Sequence, residues 1–482
     1  MTRIAPTAFA VAMALALPFP AAAQSNDELL KELRALRDRV AELERRVQSS
    51  VSAAPVATAA PAAPAAPAAP TPGQWGMSPE QVRELNRVTI KTEALQDNFA
   101  DQGLKGLKIS GSIDPTYIVN RNQDNASFVF LNNGGARYTY DNSYFGMAVL
   151  DLQKETESGA RWRLTLAPER GTGALFNGGS IVHEASVSIP LTDLKTRLWL
   201  GQIPDWTGYE LTLPAGNKLI THNLLFDTMA PTAYTGAVLD VTSGKWWLRA
   251  GVANINSARL RAGNSAPAFI YRVDYSKGEF SGFGFSGVHG KTTNFAADLG
   301  TWVDANGDVQ GFAGAGRNTA VHMVEADAYF ARGDWSLFGQ VSAGQQQRAA
   351  IFNSDGVLRN ARWVGASALA AYKITPRLEA VLRGDYVKND SNGGGLLGFS
   401  FDDPINGIGR GLDGGGNFAK GEAVGANRYA LSAGVNYLFD ESTVFKLELR
   451  RDGADQPVFE VVRKAKFSKS NNLFGASVVV SF

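Results

Sequence analysis

From Leu107 to the end of the chain, short segments alternate apolar residues with polar or small ones. Clear examples are Val187/Ile189/Leu191, Tyr429/Leu431/Ala433/Val435/Tyr437 and Phe445/Leu447/Leu449. Because successive side chains of a β-strand point to opposite faces, this alternation predicts strands with one apolar and one polar face. After Ala23 the sequence has no run of 18 apolar residues, which excludes a membrane protein built from spanning helices.

The connections between these segments have two lengths, and the two lengths alternate. Short turns are expected at 157–159, 192–193, 243–244, 277–278, 332–334, 375–376 and 440–442, and long connections near 121–142, 171–180, 204–233, 255–266, 294–318, 347–359, 390–425 and 453–471. Fifteen connections join sixteen strands. Tight turns on one side and long loops on the other are typical of transmembrane barrels, and sixteen strands enclose a bore too wide for side chains to fill. We therefore predict an all-β fold, a 16-stranded antiparallel transmembrane β-barrel over residues 104–482.

The C-terminal segment carries an apolar stripe that runs to the last residue. Counting back in twos gives Phe482, Val480, Val478, Ala476 and Phe474. A closing strand whose apolar face meets lipid would show this stripe, and so would an edge strand of a soluble sandwich. Together with the strand count, the stripe assigns assembly and closure of the barrel to Phe482, Val480 and Val478.

Four N-terminal segments precede the barrel. Residues 1–23 have a charged start, a short apolar centre and a small-residue end, which predicts a cleaved signal peptide. Residues 24–50 have apolar residues at a and d heptad positions, which predicts a coiled coil, with a lone amphipathic helix as the alternative. Its predicted core is Leu29, Leu33, Leu36, Val40, Leu43 and Val47. Residues 51–77 are rich in Ala and Pro and predict an extended linker. Ser78-Pro79 starts a predicted helix over 78–103.

Composition excludes several function classes. The 47 basic and 46 acidic residues give a net charge of +1, so nothing draws the chain to nucleic acid. There is no Cys, hence no disulfide and no thiolate metal site. The four His are scattered and no nucleophile can be placed beside any of them, so we predict no catalytic residues, no metal and no cofactor.

Two sets of residues are candidates for a solute path. The third long connection, 204–233, has an apolar stretch that would pin it to the inner wall as a constriction; its candidate residues are Asp205, Trp206, Tyr209, Glu210, Lys218, His222 and Asp227. The alternative is a loop that caps a contact between subunits. Strand alternation predicts that Arg161, Arg163, Arg197, Arg249, Arg272, Arg383, Arg428 and Arg450 line the pore, together with Arg377 and Lys446. Seven carboxylates share that face, and the spacing predicts the pairs Arg272–Asp274 and Arg383–Asp385.

With this topology the chain resembles the sixteen-stranded porins, and within them the phosphate-selective porin O/P group and related proteobacterial porins with an N-terminal coiled coil. The resemblance is most specific at Leu198-Trp-Leu-Gly-Gln-Ile-Pro204 and the loop to Gly236. It implies a homotrimer in the bacterial outer membrane, with a periplasmic N-terminus and a third loop folded into each lumen. Outer-membrane lipid, lipopolysaccharide and the barrel assembly machinery are the partners implied.

The function predicted from these observations is passive diffusion of small hydrophilic solutes. Ten basic against seven acidic inward candidates predict a mild anion preference, for phosphate or organic anions, because charged rings in a pore set ion preference. The third loop holds three carboxylates against one Lys and one His, which departs from the lysine-rich constriction of the phosphate-selective group. The alternative function is structural: the coiled coil and linker would tether the outer membrane to peptidoglycan.

Overall fold

The computed structural model describes residues 87–88, 91, 104–130, 145–167, 181–231, 233–255, 265–277, 280–293, 301–303, 309–311, 318–349, 360–389, 402–403, 408–409 and 426–482. The chain divides into two units, Met1–Glu93 and Ala94–Phe482. In the first unit Arg87, Val88 and Lys91 are helical. The predicted signal peptide, coiled coil and linker lie outside the described residues, as does most of the predicted helix over 78–103.

One antiparallel sheet of eighteen strand segments makes up the second unit. Its segments are β1 Leu107–Ile113, β2 Thr116–Asn120, β3 Asn125–Val129, β4 Ala148–Glu155, β5 Arg161–Leu166, β6 Val182–Asp193, β7 Thr196–Pro204, β8 Ala233–Ser243, β9 Trp246–Ile255, β10 Ala268–Ser276, β11 Ser281–Thr293, β14 Asn318–Arg332, β15 Trp335–Gln346, β16 Ala361–Thr375, β17 Leu378–Lys388, β20 Arg428–Leu438, β21 Thr443–Ala454 and β24 Ser470–Ser481. Three two-stranded ribbons lie in the long connections: β12 Thr301–Val303 with β13 Val309–Gly311, β18 Asp402–Asp403 with β19 Ile408–Gly409, and β22 Phe459–Val461 with β23 Lys466–Ser468.

The sheet closes on itself as a barrel of sixteen strands, which confirms the predicted fold class. From β4 onward each barrel segment pairs with the next barrel segment in sequence, while β1 pairs with β4, β2 pairs with β3, and β24 pairs with both β1 and β2. Two barrel strands consist of two segments each: β1 and β2 form the first, and β3 and β4 the second. Six of the seven predicted tight turns occur within two residues of their predicted positions, at what we call the short-turn end. The seventh, predicted at 277–278, falls between β10 and β11, where residues 278–279 lie outside the described residues.

The break between β1 and β2 has a chemical cause in Asp114 and Pro115. Proline has no N–H to donate to the ladder. The Asp114 carboxylate accepts the backbone N–H groups of Gly146 (2.8 Å) and Met147 (2.6 Å), which belong to the chain entering β4. The carboxylate thereby replaces the missing ladder bonds where the two barrel strands are interrupted.

The predicted long first connection over 121–142 is wrong at its start. Residues 121–124 form a tight turn, after which β3 pairs back onto β2. Asn120 Oδ1 accepts the backbone N–H groups of Asn122 (3.1 Å) and Gln123 (3.3 Å), and Asp124 has φ 52°. An Asn that bonds the backbone two residues on is a turn signal that the sequence carried and the strand count did not use.

The two faces of the barrel differ as the alternation predicted. Large apolar side chains such as Leu382, Leu431, Leu449 and Phe285 are exposed on the outer face. Their neighbours along each strand face inward, where the register aligns Arg383 with Ser432 and Arg450. The outer surface is therefore apolar in rows that circle the barrel, whereas the inner surface is polar and charged.

The terminal stripe lies on the outer face. Phe474 and Phe482 are exposed, and Val478 and Val480 are half-buried on the same side. The Phe482 N–H donates to the carbonyl of Gly111 (3.0 Å), and the Gly111 N–H donates to the carbonyl of Phe482 (2.9 Å). A Cβ at Gly111 would lie 2.5 Å from Cζ of Phe482, so the ring covers this glycine directly. The last residue thus forms the final rung between the last strand and the first.

None of the described residues belongs to a helix that is long and apolar enough to cross a membrane. Among the residues of the second unit that the structure describes, the helices are one α-helix, α1 Leu224–Met229, and two short 3-10 turns, Pro214–Gly216 and Val462–Lys464.

Candidate functional site: the barrel interior and the third loop

The connection from β7 to β8, residues 205–232, folds onto the inner wall, and we call it the third loop. Leu219, Ile220, Leu224 and Leu225 are almost completely buried. They pack in apolar clusters with inward side chains of the barrel strands, and α1 lies against β16, β17 and β20. Burial against the wall removes the apolar stretch of this loop from water, as its composition predicted.

The wall has space for the loop because inward positions hold glycine. A Cβ at Gly434 would lie 2.4 Å from Cδ2 of Leu219, and one at Gly365 would lie 2.8 Å from Cε of Met229. Real Cβ atoms do not approach that closely, so an alanine at either position would require the side chain of Leu219 or Met229 to shift.

Arg383 fixes the centre of the loop by its backbone. The side chain is 0% exposed, and its Nη1 donates to the carbonyl of Thr221 (2.6 Å) and to Glu210 (2.8 Å). Its Nη2 donates to the carbonyl of His222 (2.7 Å). Arg383 also forms an ion pair with Asp385 (3.2 Å), which confirms the pair predicted from their spacing. A planar guanidinium with five N–H groups can serve all of these acceptors at once, whereas a lysine has only three N–H donors.

Two more wall residues hold the same segment of the loop, residues 220–222. Arg450 Nη1 donates to the carbonyl of His222 (2.7 Å) and to Thr221 Oγ1 (2.9 Å), while its Nη2 pairs with Asp452 (3.1 Å). The negatively charged Glu448 accepts hydrogen bonds from the backbone N–H groups of Ile220 and Thr221, both at 2.8 Å. Charged hydrogen bonds to backbone groups are about twice as strong as neutral ones, so this cluster is a firm attachment. We call Arg383, Arg450 and Glu448 the loop clamp.

A second attachment holds the start of the loop. Arg272 Nη1 donates to the carbonyl of Trp206 (2.7 Å) and to Asp327 (2.7 Å). Arg272 also forms an ion pair with Asp274 (2.7 Å), which confirms the other pair predicted from the sequence. The guanidinium of Arg249 lies 4.9 Å from the centroid of the Trp206 ring. Both arginines are therefore used in packing the loop.

The remaining predicted loop residues contact the wall or one another. Tyr209 Oη lies 2.7 Å from Ser367 Oγ, Lys218 Nζ donates to Glu379 (2.7 Å), and Glu210 accepts the N–H of Asn223 (2.6 Å). Asp227, in α1, lies 3.9 Å from Arg450. Lys446 on the wall donates to the carbonyl of Asn217 at 2.6 Å.

His222 is completely buried, with its ring stacked on Phe226 at a centroid distance of 4.0 Å. Its Nε2 lies 2.8 Å from the carbonyl of Leu211. Burial lowers the pKa of the imidazole, although the nearby carboxylates of Glu210 and Asp227 oppose that shift. The ring is therefore a neutral packing and hydrogen-bonding group at physiological pH.

Six of the eight arginines predicted to line the pore are buried. Arg197, Arg249, Arg272, Arg383, Arg428 and Arg450 are each exposed by no more than 8%. Arg428 pairs with Asp452 at 3.3 Å and lies over the ring of Phe459. Arg161 and Arg163 differ, because their side chains remain 53% and 40% exposed. Of these eight arginines, the described structure leaves Arg161 and Arg163 with exposed charge on the inner wall, whereas the other six are buried in contacts with the wall or the loop.

Several contributors to this site were absent from the sequence-based candidates. Thr221, Asn223 and Asp452 each take part in the loop attachment. Asp452 could have been found, because it shares the inward parity of Glu448 and Arg450. The inward apolar cluster around Trp363 and Ile270 gave no such signal, since inward positions were expected to be polar.

Asp205, at the start of the third loop, makes the stability of the folded state depend on pH. Burial raises the pKa of its carboxyl from 3.8 to about 6, against the opposing effect of hydrogen bonds from Thr207 and Tyr234. The folded state thus holds this proton more tightly than the unfolded chain. The contribution of protonated Asp205 to the free energy of unfolding is fully present below about pH 4. It is lost as the pH rises through about 6, a change of about 3 kcal/mol.

The variant Asp205→Asn removes this titration. We expect its free energy of unfolding, relative to wild type, to rise by up to about 3 kcal/mol between pH 4 and pH 7. Denaturant melts of the refolded protein in detergent across that range measure it. Asp334→Asn, in an exposed turn, is the matched control. A difference between Asp205→Asn and wild type that does not change with pH would contradict the assignment.

The geometry defines a class: a closed antiparallel 16-stranded barrel with an apolar exterior, a charged interior and a loop clamped inside. The chain belongs to the family described as "Protein of unknown function (DUF3138)", whose model matches residues 6–482. No curated protein matches the sequence.

Solved structures with a similar fold are outer-membrane proteins. OmpT of Vibrio cholerae, an outer membrane protein, is 10% identical, with a TM-score of 0.48 over 78% of this chain and 97% of that one. An anion-selective porin from Comamonas acidovorans is 10% identical, with a TM-score of 0.45 over 78% and 99%. The outer membrane channel DcaP of Acinetobacter baumannii is 11% identical, with a TM-score of 0.47 over 78% and 97%. At these identities and TM-scores, function has to be argued from the residues of this chain.

Proposed function

We propose that the protein is a porin of the bacterial outer membrane that lets small hydrophilic solutes diffuse through its lumen. The observation that carries this proposal is the closed barrel of sixteen strands with apolar side chains outside and charged side chains inside. In lipid every backbone polar group needs a hydrogen-bond partner within the protein. A closed barrel provides these partners because each strand pairs with a neighbour on both sides. Sixteen strands enclose a lumen wide enough for water.

Aromatic side chains on the outer face support a membrane setting. Trp246 packs with Tyr275 at a centroid distance of 4.8 Å, and Trp335 packs with Tyr372 at 4.7 Å. All four, with Tyr437, lie on the outside near the short-turn end. Amphipathic rings gather at the boundary between hydrocarbon and water, as they do in the aromatic girdles of outer-membrane barrels.

We also propose that the third loop narrows the lumen. The loop clamp lies on β17 and β21, while the inner surface of β4 to β7 near the short-turn end keeps exposed charge. Arg161 and Arg163 lie among six Lys and Arg side chains that line this surface beside three carboxylates, so the surface has a basic tilt. The buried arginines add little because carboxylates neutralise most of them. We infer a mild preference for anions, such as phosphate or small organic acids.

The proposed setting includes further partners. The outward stripe ending in Phe482 supports recognition by the barrel assembly machinery and contact with outer-membrane lipid and lipopolysaccharide. The heptad seam of residues 24–50 and the resemblance to the porin O/P group support a homotrimer with a periplasmic N-terminus. Tethering to peptidoglycan through the same segment stays the alternative prediction, and deletion of residues 25–73 separates the two: a tether loses envelope integrity, while a channel keeps its conductance.

Neutralising the two exposed arginines tests the lumen assignment. We expect Arg161→Gln/Arg163→Gln to shift the reversal potential in a salt gradient toward cation preference, because the surface loses two charges. Proteoliposome swelling should show slower entry of organic anions and unchanged entry of small neutral sugars. Arg451→Gln, on the outer face, is the control and should leave both unchanged. A reversal potential equal to that of wild type would contradict the role of Arg161 and Arg163.

A further inference from the structure

A cavity of about 480 Å³ opens on the inner wall at the short-turn end, and its lining extends from β1 across β4 to β9. It lies apart from the loop clamp, and none of the third-loop residues lines it. Its lining joins exposed aromatic surface to exposed positive charge.

Trp247 supplies the aromatic surface, with Trp199 beside it. The register places both indoles on the inner face, opposite Thr242 and Ser188. Trp247 is 41% exposed, although it faces the lumen and not lipid. Its Nε1 donates to Asp240 at 2.9 Å, and the Arg249 guanidinium lies 3.9 Å from its ring centroid. The indole is thus fixed in orientation, with a large part of its ring area open to the cavity.

Arg197 supplies a cation without a carboxylate partner among its hydrogen bonds. It is 5% exposed, and it donates to Ser188 Oγ (2.7 Å) and to the carbonyls of Gly159 (2.7 Å) and Ser188 (2.9 Å). Its Nη1 has no hydrogen-bond partner among the described residues. A buried donor left without a partner is costly, which points to an acceptor supplied from outside the chain.

The charge around the cavity is positive overall. Six of the lining side chains are Lys or Arg and three are carboxylates, those of Glu155, Glu184 and Asp240. Arg163 is neutralised by Asp151 (2.9 Å) and Glu184 (3.2 Å), and Arg161 pairs with Glu155 on an exposed surface. Exposed ion pairs are weak, so Arg161 can turn to a ligand at little cost.

We propose that this cavity is a binding subsite for a small aromatic carboxylate. The ring lies against the indoles of Trp247 and Trp199, and the carboxylate accepts hydrogen bonds from Arg161 and Arg197. An aromatic pair gives affinity beyond the buried area, and an arginine fork matches the two oxygens of a carboxylate. Inorganic phosphate satisfies the arginines but gives no contact to the rings. The inference rests on the proposed channel and names the class of its solute.

Calorimetric titration of the purified full chain in detergent tests the subsite, with benzoate as the probe. We expect benzoate to bind at least tenfold more tightly than acetate or inorganic phosphate. Trp247→Leu should weaken benzoate binding about tenfold, and Arg161→Gln should weaken it by a similar factor. Trp246→Leu is the matched control: it is the neighbouring residue on the outer face and should leave the affinity unchanged.

Current recordings on the same preparations separate this inference from the proposed channel. If wild type conducts but does not bind benzoate, the subsite is wrong and the channel stands. Equal binding of benzoate and phosphate, or equal losses in Trp247→Leu and Trp246→Leu, would likewise overturn the subsite. Binding of benzoate by a protein that does not conduct would overturn the channel instead.

Discussion

Replacing Arg383 with methionine is expected to release the third loop from the wall and to widen the channel. Methionine keeps most of the volume but removes every hydrogen bond to the carbonyls of Thr221 and His222. It also leaves Glu210 and Asp385 without their shared cation in a buried site. Removing one partner of a buried ion pair costs about 3–5 kcal/mol, enough to favour detachment of the loop.

Two measurements report this release. Single-channel conductance should rise and become noisier, and a protease should cut between residues 205 and 232 at a concentration that leaves wild type intact. Arg383→Lys keeps the charge but cannot reach all acceptors, so it should fall between the two. Arg451→Met, an exposed outer-face residue, should behave as wild type. If Arg383→Met folds with unchanged conductance and unchanged resistance to protease, the loop clamp is not what holds the loop.

Deleting Phe482 is expected to reduce the yield of assembled barrel about tenfold or more. The deletion removes both backbone hydrogen bonds to Gly111 and the ring that covers this glycine. An unpaired strand edge that faces lipid costs several kcal/mol for each unsatisfied group, so the last rung contributes strongly to closure. Phe482→Ala keeps the backbone bonds and should have a smaller effect.

Heat-modifiable migration on gels, which separates folded from unfolded barrels, measures this yield in isolated outer membranes. Phe482→Tyr should assemble normally because it keeps a ring at the membrane boundary. Phe439→Ala is the control, since Phe439 is an exposed aromatic near the same end of the barrel but away from the closing seam. A normal yield without Phe482 would show that closure does not depend on this rung.

The barrel could be predicted from the sequence because its pattern is local. Side chains alternate with a period of two, so the local sequence alone predicts that Leu431 and Ser432 lie on opposite faces of the sheet. For the same reason Arg383 and Asp385, two residues apart, were correctly paired. The turn at 121–124 was missed because a long polar stretch resembles a loop unless the Asn120 cap is recognised.

The attachment of the third loop could not be derived in the same way. The contact of Arg383 with Thr221 spans 162 residues, and that of Glu448 with Thr221 spans 227. Alternation places Arg383 and Glu448 on the inner face, yet it does not say which peptide group each will meet. The predicted pore-lining arginines therefore divide into buried clamps and exposed charges only once the loop is in place.

Planar-bilayer recording of the purified full chain tests the central claim, that this barrel is an open water-filled channel, most directly. Wild type is predicted to insert with discrete, ohmic current steps in concentrated KCl, and with larger steps for Arg383→Met. Bilayers that stay silent while gels show a folded barrel in the same preparation would contradict the proposed function.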